Sequence, residues 1–302
     1  MTTSPSRPES PAGQERYAAA AGEPVVKTTA ERYVMSGGRT PRLAIKEGDL
    51  FLYSDALGQA PGGENSVLGL FYHDTRYLSR HELMIAGRQP VLLSSTAERG
   101  YTATVELTNL EARTPDGHTL PQASVHVRRT RFLADRLHEL LRVRSFHRHD
   151  VELVLDLYFD ADFADLFEVR GLRRRKRGTR LAPRVEGDTL TLSYLGLDDV
   201  LRETVITFTD PPESVKQGRA RYRLQLAPGE RASLRYDVRV VAPDAPAPRE
   251  GDFNAKLGAL RHEHERWDSG ATDIFTDNEQ VNHVLRRGQD DLRMLADRKS
   301  VV

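Results

Sequence analysis

The chain has no cysteine in its 302 residues. That excludes disulfides, thiolate metal sites and thiol nucleophiles together, and it agrees with a reducing compartment, so a cytoplasmic location is expected. Charge of one sign is equally lacking, because lysine plus arginine and aspartate plus glutamate both number 44. No net field draws the whole molecule onto nucleic acid or an anionic membrane, so neither is expected as a partner, and a neutral one such as a carbohydrate is. No stretch approaches the roughly 18 consecutive apolar residues that a membrane span needs. Residues 1–24 lack both the basic start and the apolar stretch of a secretory signal and read as a disordered tail.

Signatures of common active sites are scarce too. Pro61-Gly62-Gly63 is not followed by Gly-Lys-Ser/Thr and reads as a turn, not a phosphate loop. There is no Gly-x-Ser-x-Gly elbow to make a triad of the serines, histidines and aspartates present. His147 and His149 share a strand face as two zinc ligands would, but His262 and His264 point to different sides of a predicted helix, and no third ligand stands out. No metal and no cofactor are expected. The run Arg173-Arg174-Arg175-Lys176-Arg177 reads as a solvated loop in preference to a nucleic-acid patch.

What the sequence does have is alternation. From Val25 to Val241 short apolar runs of period two are separated by Gly, Pro, Asp or Asn, the pattern of half-buried strands and their turns. Ala44 to Tyr53 predicts a strand pair interrupted at Lys46-Glu47-Gly48-Asp49. Tyr77 to Ile85 predicts one strand entering a hairpin at Ala86-Gly87-Arg88, with Val91-Leu92-Leu93 as its partner. Ser124 to Phe132, Leu137 to Phe146 and Val151 to Phe159 are three successive strands, the last with Val151, Leu153, Leu155, Leu157 and Phe159 on its core face. Thr189 to Tyr194, Arg202 to Phe208, Ala220 to Leu226 and Ala232 to Val241 follow, bounded by turns such as Asp210-Pro211-Pro212 and Pro228-Gly229. With no helical pattern between them, these runs predict a mainly β fold, an antiparallel two-sheet β-sandwich over residues 25–245.

The proline-rich stretch Ala242 to Pro248 cannot continue a strand ladder. Residues 246–276 read as a linker with a helix whose face carries Phe253, Leu257, Leu260 and Trp267. Residues 277–302 read as a second helix, opened by the capping-box-like Asp277 and Gln280 and striped with Val281, Leu285, Leu292 and Leu295. A single amphipathic helix needs something to cover that stripe.

Two segments carry a family resemblance. Gly69 to Ser79, GLFYHDTRYLS, resembles the GLFxxDTRYLS signature of the amino-terminal domain of bacterial glycogen debranching enzymes of the amylo-α-1,6-glucosidase type. Ala161 to Gly171, ADFADLFEVRG, resembles the ADFxDxFExRG stretch of the same family, in the same order and at about the same separation. Asp277-Asn278, with Asp290-Asp291-Leu292, resembles that family's entry into its first barrel helix. The resemblance implies a sandwich preceding a catalytic (α/α)6 barrel, which this chain is expected to lack beyond an incomplete first helix. It therefore implies a glycoside hydrolase parent and an auxiliary role here, with no catalytic residue of its own and an α-glucan, glycogen or maltooligosaccharide, as candidate ligand.

The candidate contact residues, for substrate or for the barrel domain, are Tyr72, Asp74, Arg76, Tyr77, Asp162, Asp165, Glu168 and Arg170. Alternation on a strand gives Asp74 and Arg76 one face, so they are expected to pair with each other or across strands. Tyr72 and Tyr77 suit either sheet packing or stacking on a sugar ring. Asp162, Asp165 and Glu168 lie three apart, on one side of a helical turn. Glycosidic hydrolysis needs carboxyls on both sides of the bond, so these read as a cap or a salt-bridge network including Arg170. The alternative is a stand-alone carbohydrate-binding module using one sheet face.

Overall fold

The computed structural model describes residues 42–295 except 64, 65, 98, 116, 271 and 273. The predicted tail over 1–24 and the first part of the predicted sandwich, residues 25–41, lie outside the described residues. What is described is mainly β, with antiparallel strand pairing throughout.

The chain enters on the predicted hairpin, Arg42–Glu47 against Leu50–Asp55, with Ile45 opposite Leu52. Gly48 takes a φ of +57°, which a side chain would strain, and so closes the turn. Strands Val125–Leu133 and Leu137–Ser145 pair as neighbours at the centre of a nine-stranded sheet. The next strand, Val151–Asp160, leaves it and joins a five-stranded sheet between Arg80–Ile85 and Arg219–Leu226. Gly69–Tyr72 and Thr75–Leu78 complete a four-stranded sheet with the first hairpin, and a two-stranded ribbon is separate. The two-sheet prediction is thus corrected to sheets of nine, five, four and two strands.

The predicted strand Tyr77 to Ile85 shows why. It divides at Ser79, whose N–H bonds to the Asp160 carbonyl at 2.8 Å, so Thr75–Leu78 belongs to the four-stranded sheet and Arg80–Ile85 to the five-stranded one. Strands that bend from one sheet into another make the corners of such folds. Its predicted partner is also corrected: Val91–Thr96 pairs with Thr102–Thr108 at the edge of the nine-stranded sheet.

The three larger sheets share one core. Leu52, Leu70 and Leu78 come to it from the four-stranded sheet, Leu83, Leu155 and Leu157 from the five-stranded one, and Val105, Val127, Leu141 and Val238 from the nine-stranded one. Each such side chain, fully buried, contributes about 1.5–3 kcal/mol.

Helix α1 is the single turn Leu166–Val169. Helix α2, Phe253–Gly270, lays Leu257 and Leu260 on Tyr101, Phe132 and Ala134, with the Phe253 ring edge-on to Phe132 at 5.0 Å. His264 shares that buried face. It lies against the Tyr101 ring at 3.8 Å and meets Glu47 at 3.1 Å. Trp267, predicted in the same stripe, is exposed beneath the Arg293 guanidinium at 5.3 Å.

Helix α3, Glu279–Leu295, is capped by Asn278, not Asp277, because the Asn278 Oδ1 accepts from the Gln280 and Val281 N–H groups at 3.0 and 3.3 Å. Among the described residues no helix is long and apolar enough to cross a membrane.

Candidate functional site

The two signature segments lie far apart in sequence and are zipped together in space. Tyr72 leads into a tight turn in which His73 takes φ +48°, and the chain returns as Thr75–Leu78. Along that return strand the Arg76 N–H donates to the Ala164 carbonyl and the Leu166 N–H donates to the Asp74 carbonyl, each at 2.8 Å. Thr75 and Asp165 form an isolated antiparallel bridge. Backbone bonds therefore fix one motif against the other before any side chain is counted.

Arg76 is the side chain at the junction, 3% exposed. Its Nε donates to Asp162 Oδ1 at 3.1 Å and its Nη2 to Asp162 Oδ2 at 2.5 Å, while Nη1 donates to the Ser66 carbonyl and, at 3.2 Å, to that of Leu68. A two-point guanidinium–carboxylate pair is among the strongest polar contacts available to a protein. The pairing of Asp74 with Arg76 does not form. Asp74 sits in the turn, outside the strand, and points to solvent, so strand alternation does not apply to it. Gly69 explains its own place in the motif: at φ +148° a Cβ there would lie 2.4 Å from the Leu78 carbonyl oxygen and 2.7 Å from Arg76 Cδ.

The acidic residues have separate duties. Asp165 caps α1, accepting from the Glu168 N–H at 2.8 Å, and Glu168 reaches back to the Asp165 N–H at 3.1 Å, a complete capping box. The basic tract folds back over them, Arg174 onto Asp165, and Arg177 onto Glu168 at 3.1 Å and onto the Asp162 carbonyl at 2.6 Å. Arg170 lies exposed at the C-cap, and it is Arg174 and Arg177 that supply the cations expected of it. All three carboxylates sit on one short segment, so they cannot flank a glycosidic bond.

Tyr72 and Tyr77 are both buried. The Tyr72 hydroxyl donates to the Asp244 carbonyl at 2.5 Å, tying this turn to the proline-rich stretch, and His73 Nε2 meets Asp244 Oδ2 at 2.9 Å. Tyr77 meets the Phe163 ring edge-on at 5.5 Å, Phe163 stacks on Tyr194 at 5.4 Å, and burial pushes the Tyr77 hydroxyl up to about 12.

A second polar cluster was not anticipated. Arg129, Arg131, Glu139, His81 and Tyr236 are all buried in the space between the nine- and five-stranded sheets. Glu139 takes the Arg129 Nε at 2.7 Å and the Arg131 Nη2 at 3.0 Å, Arg131 Nη1 donates to the Gly58 carbonyl at 2.7 Å, and His81 Nε2 lies 2.8 Å from the Tyr236 hydroxyl. Burial would raise the Glu139 carboxyl, but Arg129 and Arg131 outweigh it and hold the group well below the usual range. Burial presses His81 down to about 3, so it is a neutral ring. The signal was in the sequence: Arg129 and Arg131 share parity with Val125, Val127 and Leu133. Arginine on a core face is rare enough to be passed over.

Residues 45–237 match a sequence family described as the N-terminal domain of (some) glycogen debranching enzymes. No curated protein matches the chain. Among solved structures, one described as a kojibiose phosphorylase from human microbiome matches at TM-score 0.46 and 8% identity, over 82% of this chain and 35% of its own length. A galactose mutarotase-like protein from Clostridium acetobutylicum matches at TM-score 0.29 and 8% identity, over 67% of this chain and 99% of its own.

Proposed function

The chain belongs to the family of N-terminal domains of glycogen debranching enzymes, and from that membership we propose that it is an auxiliary module of an amylo-α-1,6-glucosidase-like glycoside hydrolase. It docks on a catalytic (α/α)6 barrel, with α3 as the first barrel helix, and shapes one wall of the glucan cleft. Asp74 and Arg170, exposed on the two motifs along with His73 and Phe167, are available to that partner.

The observation that carries this reading is the apolar face of α3 that stands exposed among the described residues. Val281, Leu292 and Leu295 of the predicted stripe are exposed, joined by Val284 in place of the half-buried Leu285, and Val284 and Leu292 are 68% and 69% exposed. The helix is nonetheless held in place: Arg293 donates to the His264 carbonyl at 3.1 Å and Lys46 to the Met294 carbonyl at 2.8 Å. A fixed helix presenting an apolar stripe is suited to packing against another helix. The enclosure of Tyr72 and Tyr77 favours docking over sugar binding by an isolated module.

The test is titration calorimetry of this chain against a separately expressed catalytic barrel of a glycogen debranching enzyme. Wild type is expected to bind. Val284→Lys with Leu292→Lys is expected to abolish binding and leave Tm unchanged. Equal binding by both proteins, or none by either, would sink the docking claim. Heat on adding maltooligosaccharides to the double variant would instead favour the stand-alone carbohydrate-binding module.

A further inference from the structure

The outer face of the nine-stranded sheet carries an arrangement that costs stability and serves nothing described so far. Its strands place residues in register, and directly opposed residues share a face. In one row Glu106, Arg128, Arg142 and Ser233 follow one another across four strands. In the next row stand Thr108, His126, Arg144 and Arg231. Arg128 thus faces Arg142, and Arg144 faces Arg231. Like charges directly opposed across strands repel. Among the described residues one carboxylate, Glu106, answers the grid, and it is taken by His126 at 2.6 Å and Arg128 at 2.5 Å. Among the described residues no carboxylate pairs with Arg142, Arg144 or Arg231. Arg144 covers the exposed Phe146 ring at 4.8 Å, and its Nε is buried without a hydrogen-bond partner.

The same two strands show on their inner face how this fold settles such a conflict: Glu139 lies between Arg129 and Arg131. Outside, the described residues supply no such counter-ion. All the fixed cations are arginines, whose planar forks suit phosphoryl oxygens, and a phosphoryl group can satisfy two guanidiniums at once. With one phosphoryl group to two guanidiniums, the four arginines, set in two rows about 6.8 Å apart along the strand, offer two phosphoryl positions. We propose that the face formed by Arg128, Arg142, Arg144 and Arg231 binds a small ligand bearing two phosphoryl groups on separate atoms, one at each opposed arginine pair.

The probe is glucose 1,6-bisphosphate, titrated into the full chain by calorimetry at low ionic strength, with inorganic phosphate, hexaglutamate and a DNA oligonucleotide as comparisons. Saturable binding that weakens with salt is expected, tighter than that of inorganic phosphate. Arg142→Gln with Arg231→Gln removes one member of each opposed pair. It should weaken binding by at least about tenfold while leaving Tm unchanged or raised, since a repulsion is relieved. Arg184→Gln, elsewhere on the surface, should bind as wild type does. The proposal is overturned by absence of binding, by equal binding of the double variant, by inorganic phosphate binding as tightly, or by hexaglutamate or DNA binding more tightly. The last outcome would assign the face to an acidic macromolecule.

Discussion

Arg76 and Asp162, 86 residues apart in the chain, meet through two parallel hydrogen bonds at 3.1 and 2.5 Å and hold the two signature segments as one piece. The partners differ in access to water: the Arg76 side chain is 4% exposed and that of Asp162 25%.

That asymmetry orders the cost of breaking the pair. Asp162→Ala strands a buried guanidinium and is expected to cost about 3–5 kcal/mol. Arg76→Ala leaves a carboxylate that water can reach and should cost less, about 2–3 kcal/mol. Urea midpoints of both variants and of the double variant check this. An Arg76→Ala loss larger than that of Asp162→Ala would contradict it.

Glu139 lies between two buried guanidiniums, so Glu139→Ala leaves both without a counter-ion. The expected loss is at least about 4 kcal/mol, the upper part of the range for breaking a buried pair, or failure to fold. Replacing Arg129 and Arg131 by Met and Glu139 by Leu together should recover most of it. Thermal unfolding of the two proteins separates a charge penalty from a shape penalty.

Stability should fall in mild acid. His81 is held at about 3 in the folded state, below its ordinary value near 6.5, so between those values the unfolded chain takes up a proton that the folded one refuses. Its contribution is complete above pH 6.5 and is lost as pH falls towards 3, at up to about 1.4 kcal/mol per pH unit. Glu139, held low by the arginines, adds a loss of the same sign below about pH 4.5. Unfolding midpoints of wild type and His81→Asn across this range are the measurement, and a slope unchanged in the variant would remove His81 as the cause.

Gly69→Ala should destabilise by about 1–3 kcal/mol through strain alone. The added carbon meets backbone at Leu78 and the stem of Arg76, neither of which can yield without loosening the pair with Asp162. Near-wild-type stability would show that this approach is relieved at little cost.

Much of the fold was legible because alternation survives wherever one strand face is buried. Val151, Leu153, Leu155, Leu157 and Phe159 lie inward as their spacing requires, and the turn at Gly48 falls where glycine and aspartate put it. The divided run at Ser79 was not legible, since period two continues across a change of sheet. The partner of Val91–Thr96 was missed because adjacency along the chain does not decide which edge a strand joins.

By itself the sequence determined the β character, the two motif segments and the amphipathic stripe of α3, because composition and period are local properties. Only the tertiary structure decided that Arg76 takes Asp162 and not Asp74, that Arg174 and Arg177 cover α1, and that Arg129 and Arg131 are enclosed around Glu139 while Arg128, Arg142, Arg144 and Arg231 stand outside. Charge pairing depends on which strands become neighbours and in what register, and no period within a single strand encodes its neighbour.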